Sequence, residues 1–134
     1  MRTVFLDTVG LIAIWDEDDQ WHAPAEAAWG ELARDRVRFV TSTLVMYECG
    51  NACARRPYRG AVTEFRRAIN ANGGLITPTA EDVEAAWHEF ERQDKRGAGI
   101  VDHISFGIMR RLGLSDAFTC DRHFQAAGFI TLFG

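Results

Sequence analysis

Short apolar runs alternate with longer amphipathic stretches along this chain, and a polar or glycine-rich break marks each changeover. Thr3 to Leu6 is an apolar run of strand type that ends at Asp7. Val9 to Trp15 predicts one or two helical turns, followed by an acidic loop from Asp16 to Gln20. A second helix is expected from His22, with Pro24 tolerated in its first turn and Ala25, Ala28, Trp29 and Leu32 on its buried face. It ends in the charged stretch Arg34 to Arg38. Phe39 to Thr41 predicts a second strand, and Ser42 or Thr43 supplies the cap for a helix from Leu44 to near Arg55, with Glu48 inside it.

Pro57 breaks that run. A helix from Gly60 to Ala71 groups Val62, Phe65 and Ile69 before the stop signal Asn72-Gly73-Gly74. Leu75 to Thr77 reads as strand three, and Thr79 caps a helix whose core face is expected to be Val83, Ala86, Trp87 and Phe90. Glu81, Glu84, Glu89 and Glu91 fall on its other faces as a solvated surface. Gly97-Ala98-Gly99 leads into a further helix in which Val101, Ile104, Ser105, Ile108 and Leu112 recur at helical spacing, with Asp102 in the first turn. Gly113 stops it, Ala117 to Thr119 predicts strand four, and Phe129 to Leu132 a short fifth. Such alternation predicts an α/β fold of three layers, α/β/α, with a short, mostly parallel central sheet of four or five strands.

Length and composition narrow this further. The chain has 134 residues, 47% of them hydrophobic, enough for one compact core, so a single domain over residues 1–134 is expected. No apolar run approaches the roughly 20 residues of a membrane span, and the first residues lack the pattern of a signal peptide. A cytoplasmic protein without membrane association is the expectation. Cys49, Cys53 and Cys120 are odd in number and lack metal-ligand spacing, which favours small reduced core residues over disulfides or zinc. His22, His88, His103 and His123 form no i, i+4 pair and read as caps or surface residues, with His123 the one histidine next to an acid of interest.

Four acids stand beside apolar segments: Asp7, Glu48, Asp102 and Asp121. A carboxylate is costly to bury unless it is paired, hydrogen-bonded or bound to a cation, and no run of Lys or Arg adjoins these four. In a parallel α/β sheet the loops at the carboxyl ends of the strands form one crevice, and Asp7 and Asp121 each follow a strand directly. Asp102 opens a helix near the same rim, and Glu48 lies about one and a half turns into the helix after strand two. Convergent carboxylates raise one another's pKa and suit a hard divalent ion, Mg²⁺ or Mn²⁺. Such an ion can activate water for attack on a phosphodiester. Taken singly, Asp102 is also a favourable helix N-terminal charge and Asp121 a turn cap. The net charge of −4 weighs against binding a polyanion, but a bound cation would offset the acids and leave Arg55, Arg56, Arg59, Arg66 and Arg67 to face one.

Val4-Phe5-Leu6-Asp7-Thr8, Glu48 with Asn51, Val101-Asp102-His103-Ile104-Ser105-Phe106 and Ala117-Phe118-Thr119-Cys120-Asp121-Arg122-His123-Phe124 resemble the PIN-domain ribonucleases. Order and spacing match over almost the whole chain, most like the VapC-type toxins of toxin-antitoxin pairs. The resemblance implies a Mg²⁺-dependent endoribonuclease, with Mn²⁺ as a substitute, acting as the toxin of a type II module. It implies that Asp7, Glu48, Asp102 and Asp121 form the acidic catalytic and metal site, Asp7 and Asp102 foremost. Thr8, Asn51, Arg122 and His123 would support those acids or meet substrate. RNA, a cognate antitoxin and a second copy of the chain are the implied partners. Gly99 departs from the pattern, since Ser or Thr is expected three residues before the third acid.

Trp15, Trp21 and Trp29 cluster near the first helices and are expected to expose apolar surface to a partner. Arg110, Arg111, Lys95 and Arg96 are weaker candidates for RNA contact. Other phosphate chemistries fit poorly. A haloacid-dehalogenase-type phosphatase needs a second Asp at position 9, where Val9 stands; a receiver domain needs a late Lys, and the sole lysine is Lys95; Gly97 and Gly99 do not make a phosphate loop. The remaining alternative is a non-catalytic PIN-fold module that binds RNA or protein.

Overall fold

A computed structural model describes every residue from Met1 to Gly134. Its elements in chain order are β1 (Thr3–Leu6), α1 (Thr8–Trp15), α2 (His22–Arg34), β2 (Arg38–Ser42), α3 (Thr43–Ala52) and α4 (Arg59–Ala71). There follow β3 (Leu75–Ile76), α5 (Ala80–Arg92), α6 (Ile100–Arg111), β4 (Asp116–Phe118), α7 (Arg122–Ala126) and β5 (Ile130–Thr131). All five strands run parallel in the order β3-β2-β1-β4-β5. From β1 the chain steps one way to β2 and β3, then crosses back to β4 and β5. Because parallel crossovers are right-handed, that reversal puts helices on both faces of the sheet. Three layers therefore result, as the alternating pattern predicted.

The central strands are the most buried. Val4, Phe5 and Leu6 of β1 and Ala117 and Phe118 of β4 are wholly inaccessible, within a core of 24 buried apolar residues. Each large side chain so buried contributes roughly 1.5–3 kcal/mol. Thr41 on β2 is also fully buried, and its hydroxyl donates to the Leu6 carbonyl at 2.7 Å, tying β2 to β1 above the register Phe5 to Val40. Gly10 lets α1 lie against β4, since a Cβ there would stand 2.1 Å from the Phe118 carbonyl oxygen. Ser42 rather than Thr43 caps α3, accepting from the Val45 amide, and Thr79 and Asp82 form a reciprocal capping box on α5.

Several expectations need correction. Trp87 and Phe90 on α5 are each 43% exposed and pack edge to face with each other, while Asp82 and Ala86 are the buried positions of that helix. Asp82 is buried because Arg111 of α6 binds it at both oxygens, at 3.1 and 2.8 Å. Leu112 is likewise largely exposed. The early tryptophans are half-buried: Trp29 stacks on Phe39 and meets Phe118 edge-on, and Trp15 packs on Phe65. Trp87 and Phe90 thus add exposed apolar surface on α5, while Trp29 with Val37, Phe39 and Phe65 lines an apolar groove beside α2. His103 is buried against Phe106 rather than on the surface. Helix α3 stops at Ala52, β4 begins one residue earlier than expected, and Arg122 to Ala126 forms the short helix α7. Cys49 and Cys53 are buried and free, and Cys120 is free and half-buried. No helix is long and apolar enough to cross a membrane.

Candidate active site

The strand order reverses between β1 and β4, and at such a switch point the loops leaving the two strands part and open a crevice. Asp7 leaves β1 as the N-cap of α1, and Asp121, two residues beyond Thr119, is the N-cap of α7. Asp102 occupies the first turn of α6, and Glu48 comes from the middle of α3. Asp7, Thr8, Glu48, Asn51, Asp102 and Asp121 together line an open cleft of about 450 Å³, with Val9 and Ala52. Six of the eight residues singled out in the sequence are therefore brought to one place. Arg122 is exposed outside the cleft, and His123 stands behind Asp121.

Three hydrogen bonds organise the acids. The Thr119 hydroxyl donates to Asp7 Oδ2 at 2.8 Å and accepts from the Asp121 amide at 3.1 Å, linking the ends of β1 and β4. The Thr8 hydroxyl donates to Glu48 Oε1 at 2.6 Å. Thr8 thus orients the acid contributed by α3, not the one next to it in sequence. Thr119 escaped the sequence reading, although a hydroxyl at the end of a buried strand, two residues before an acid, is a detectable signal. His123 Nδ1 lies 3.0 Å from Asp121 Oδ1, and its Nε2 lies 3.0 Å from the Arg96 carbonyl.

No Lys or Arg pairs with any of the four acids. Burial pushes the Asp7 carboxyl up to about 7, with the nearby Asp102 charge adding to the effect. Asp102 is pushed up to about 6 by burial first and by the Asp121 and Glu48 charges next. His123 is raised, chiefly by its contact with the Arg96 carbonyl. These are the signs of gathered, uncompensated anionic charge. Four carboxylates gathered without a Lys or Arg partner fit a hard divalent cation, because such an ion supplies the missing positive charge and accepts oxygen donors. The basic residues lie elsewhere: Arg111 is committed to Asp82, Arg110 to the Ala127 carbonyl, and Arg56 to Asp16, whereas Arg55, Arg59, Arg66 and Arg67 are exposed.

The fold and this cleft define a class. Residues 4–130 match the PIN domain family, and the chain belongs to it. Among individual proteins it is similar to the 23S rRNA-specific endonuclease VapC20 of Mycobacterium tuberculosis, known from strains CDC 1551 / Oshkosh and ATCC 25618 / H37Rv. Identity is 30% over 132 residues, covering 95% of both proteins. The crystal structure of that VapC20, a sarcin-ricin loop cleaving toxin, superposes with a TM-score of 0.80 at 28% identity, over 98% of this chain and 99% of that one. PAE2754 from Pyrobaculum aerophilum shares the fold, with a TM-score of 0.61 at 19% identity over 98% and 84% of the two chains.

Proposed function

We propose that this protein is a divalent-metal-dependent endoribonuclease and the toxin of a type II toxin-antitoxin module, acting in the cytoplasm on ribosomal RNA. The observation that carries the reading is the convergence of Asp7, Glu48, Asp102 and Asp121 in one cleft with no Lys or Arg partner. Similarity to VapC20 over 95% of the chain supports the choice of 23S ribosomal RNA as substrate. We assign Asp7 and Asp102 as the principal holders of Mg²⁺ or Mn²⁺, completed by Asp121 and Glu48. The ion would supply Lewis-acid polarisation of a phosphodiester and neutralise the developing negative charge.

The chain's own residues do the rest. Thr119 holds the Asp7 carboxylate through Oδ2, fixing its orientation at the cleft. Thr8 fixes Glu48 through Oε1, so Oε2 is free to orient a water and accept its proton. Asn51, exposed on the cleft wall, and Arg122, exposed beside it, contact the RNA backbone in this scheme. An antitoxin protein and a second copy of the chain are the proposed protein partners.

Incubating purified parent and the Asp7→Ala and Asp102→Asn variants with ribosomes and with unrelated RNAs, with Mg²⁺ and with chelator, tests this. A single cut in 23S RNA is expected from the parent with metal, and at least a hundredfold less from either folded variant. Equal cleavage by parent and variants would remove the nuclease assignment. Binding of RNA without cleavage by the parent would favour a non-catalytic PIN module.

A further inference from the structure

His123 stands behind Asp121 with both of its ring nitrogens engaged. Its Nε2 is 3.0 Å from the Arg96 carbonyl oxygen, which can only accept, so Nε2 carries a hydrogen and donates it. In the neutral ring this leaves Nδ1 with a lone pair, and Nδ1 stands 3.0 Å from Asp121 Oδ1, another acceptor. Two acceptors so close need a positive centre to satisfy both. In the protein alone a second ring proton does so; a divalent ion bound by both atoms does so equally well.

The surroundings favour the ion. Donor atoms of Asp102, Asp121 and His123 lie within 4.8 Å of one another. Opposite donors on an ion with bonds of roughly 2.1 Å stand roughly 4.2 Å apart, so shifts of under about 1 Å suffice. A histidine that ligates metal usually gives its other ring N–H to a carboxylate or a backbone carbonyl, which fixes the ring and its tautomer. The Arg96 carbonyl fills that role here, from the turn before α6. With both ring nitrogens engaged, a direct contact between His123 and RNA phosphate is disfavoured. His88 meets only Glu84, one turn away on its own helix; the His22 ring joins the Ala13 carbonyl at 2.7 Å and Glu26 at 3.2 Å but, unlike His123, belongs to no cluster of three donors.

We propose that His123 is a metal ligand through Nδ1, completing with Asp102 and Asp121 a mixed nitrogen and oxygen site that prefers Mn²⁺ or Co²⁺ to Mg²⁺. Imidazole suits transition ions, whereas magnesium favours oxygen donors throughout. This deepens the nuclease reading and rests on it only for the presence of a divalent ion.

The test reads metal binding without RNA. The chelator-treated full chain and its His123→Asn variant are titrated with Mn²⁺ and with Mg²⁺ by calorimetry, and the Mn²⁺-loaded proteins are compared by pulsed electron paramagnetic resonance. In the variant, Mn²⁺ affinity falls about tenfold or more while Mg²⁺ affinity changes little. The parent shows the nitrogen coupling of a directly bound imidazole, and the variant lacks it. A parent without that coupling, or a variant that loses both ions equally, overturns the proposal. The parent spectrum decides by itself if the variant does not fold. Nitrogen coupling in a parent that cuts no RNA would leave the ligand assignment standing and remove the nuclease reading; RNA cleavage without coupling would do the reverse.

Discussion

Replacing Asp7 by Asn isolates the electrostatic cost of building this cleft. Asp7 is only 2% exposed, and burial, helped by Asp102, raises its pKa from 3.8 to about 7. An acid whose pKa is higher in the folded chain holds its proton more tightly there, so deprotonation opposes folding. The penalty is absent below the unfolded value of 3.8, grows as pH rises, and is complete above about 7. The rise from 3.8 to about 7 corresponds to about 4 kcal/mol. Asparagine keeps the shape and a carbonyl oxygen to accept the 2.8 Å hydrogen bond from Thr119, but never ionises. In chelator, Asp7→Asn is therefore expected to be more stable than the parent by about 4 kcal/mol near pH 8, with the difference vanishing near pH 4. Urea denaturation followed by circular dichroism at both pH values measures it. Mg²⁺ or Mn²⁺ at about a hundred times the parent's Kd should narrow that difference to roughly 1 kcal/mol, because binding to the native parent adds about 2.7 kcal/mol that the variant largely forgoes. A variant no more stable than the parent at high pH in chelator, or a difference independent of pH, would refute the reasoning.

Two further substitutions probe the supports. Asp82→Asn weakens the paired hydrogen bonds from Arg111, whose own side chain is 41% exposed, and should cost about 1–2 kcal/mol in thermal or urea unfolding at neutral pH. Here the Arg111 guanidinium holds the carboxyl below its ordinary 3.8, so the parent's advantage is present above that value and shrinks as pH falls through the lowered one. An unchanged difference on acidification would contradict that account. Gly99→Ser gives α6 the side-chain cap it lacks: φ is −73°, and an added Cβ meets nothing within 4 Å. Its stability should rise by a few tenths of a kcal/mol, and a clear loss of melting temperature would show that the position needs glycine.

Much of this molecule is legible in its sequence. Short continuous apolar runs located the strands, which are covered on both faces, and stripes near period 3.6 located the helices, which bury one face. The misses follow from the same physics. Trp87 and Phe90 satisfy helical periodicity as well as any core pair, but periodicity says which residues share a face, not whether another layer covers it. Asp82 reads as a polar position, yet the bidentate grip of Arg111 makes its burial tolerable. Thr8 was recognised as a carboxylate-holding hydroxyl, while its partner, Glu48, lies 40 positions away, a distance no local pattern encodes.

By itself the sequence determined the α/β layering and the residues that carry acid at the ends of apolar segments, since both depend on local hydrophobicity and on the cost of leaving a charge near a core. The tertiary structure decided which of those acids meet. Only the order β3-β2-β1-β4-β5 sets β1 beside β4, so that Thr119 can reach Asp7 and join it to the loop of Asp121. It also decided that the Arg96 carbonyl fixes the His123 ring against Asp121, because strand order and helix packing are set by the burial of the whole chain at once.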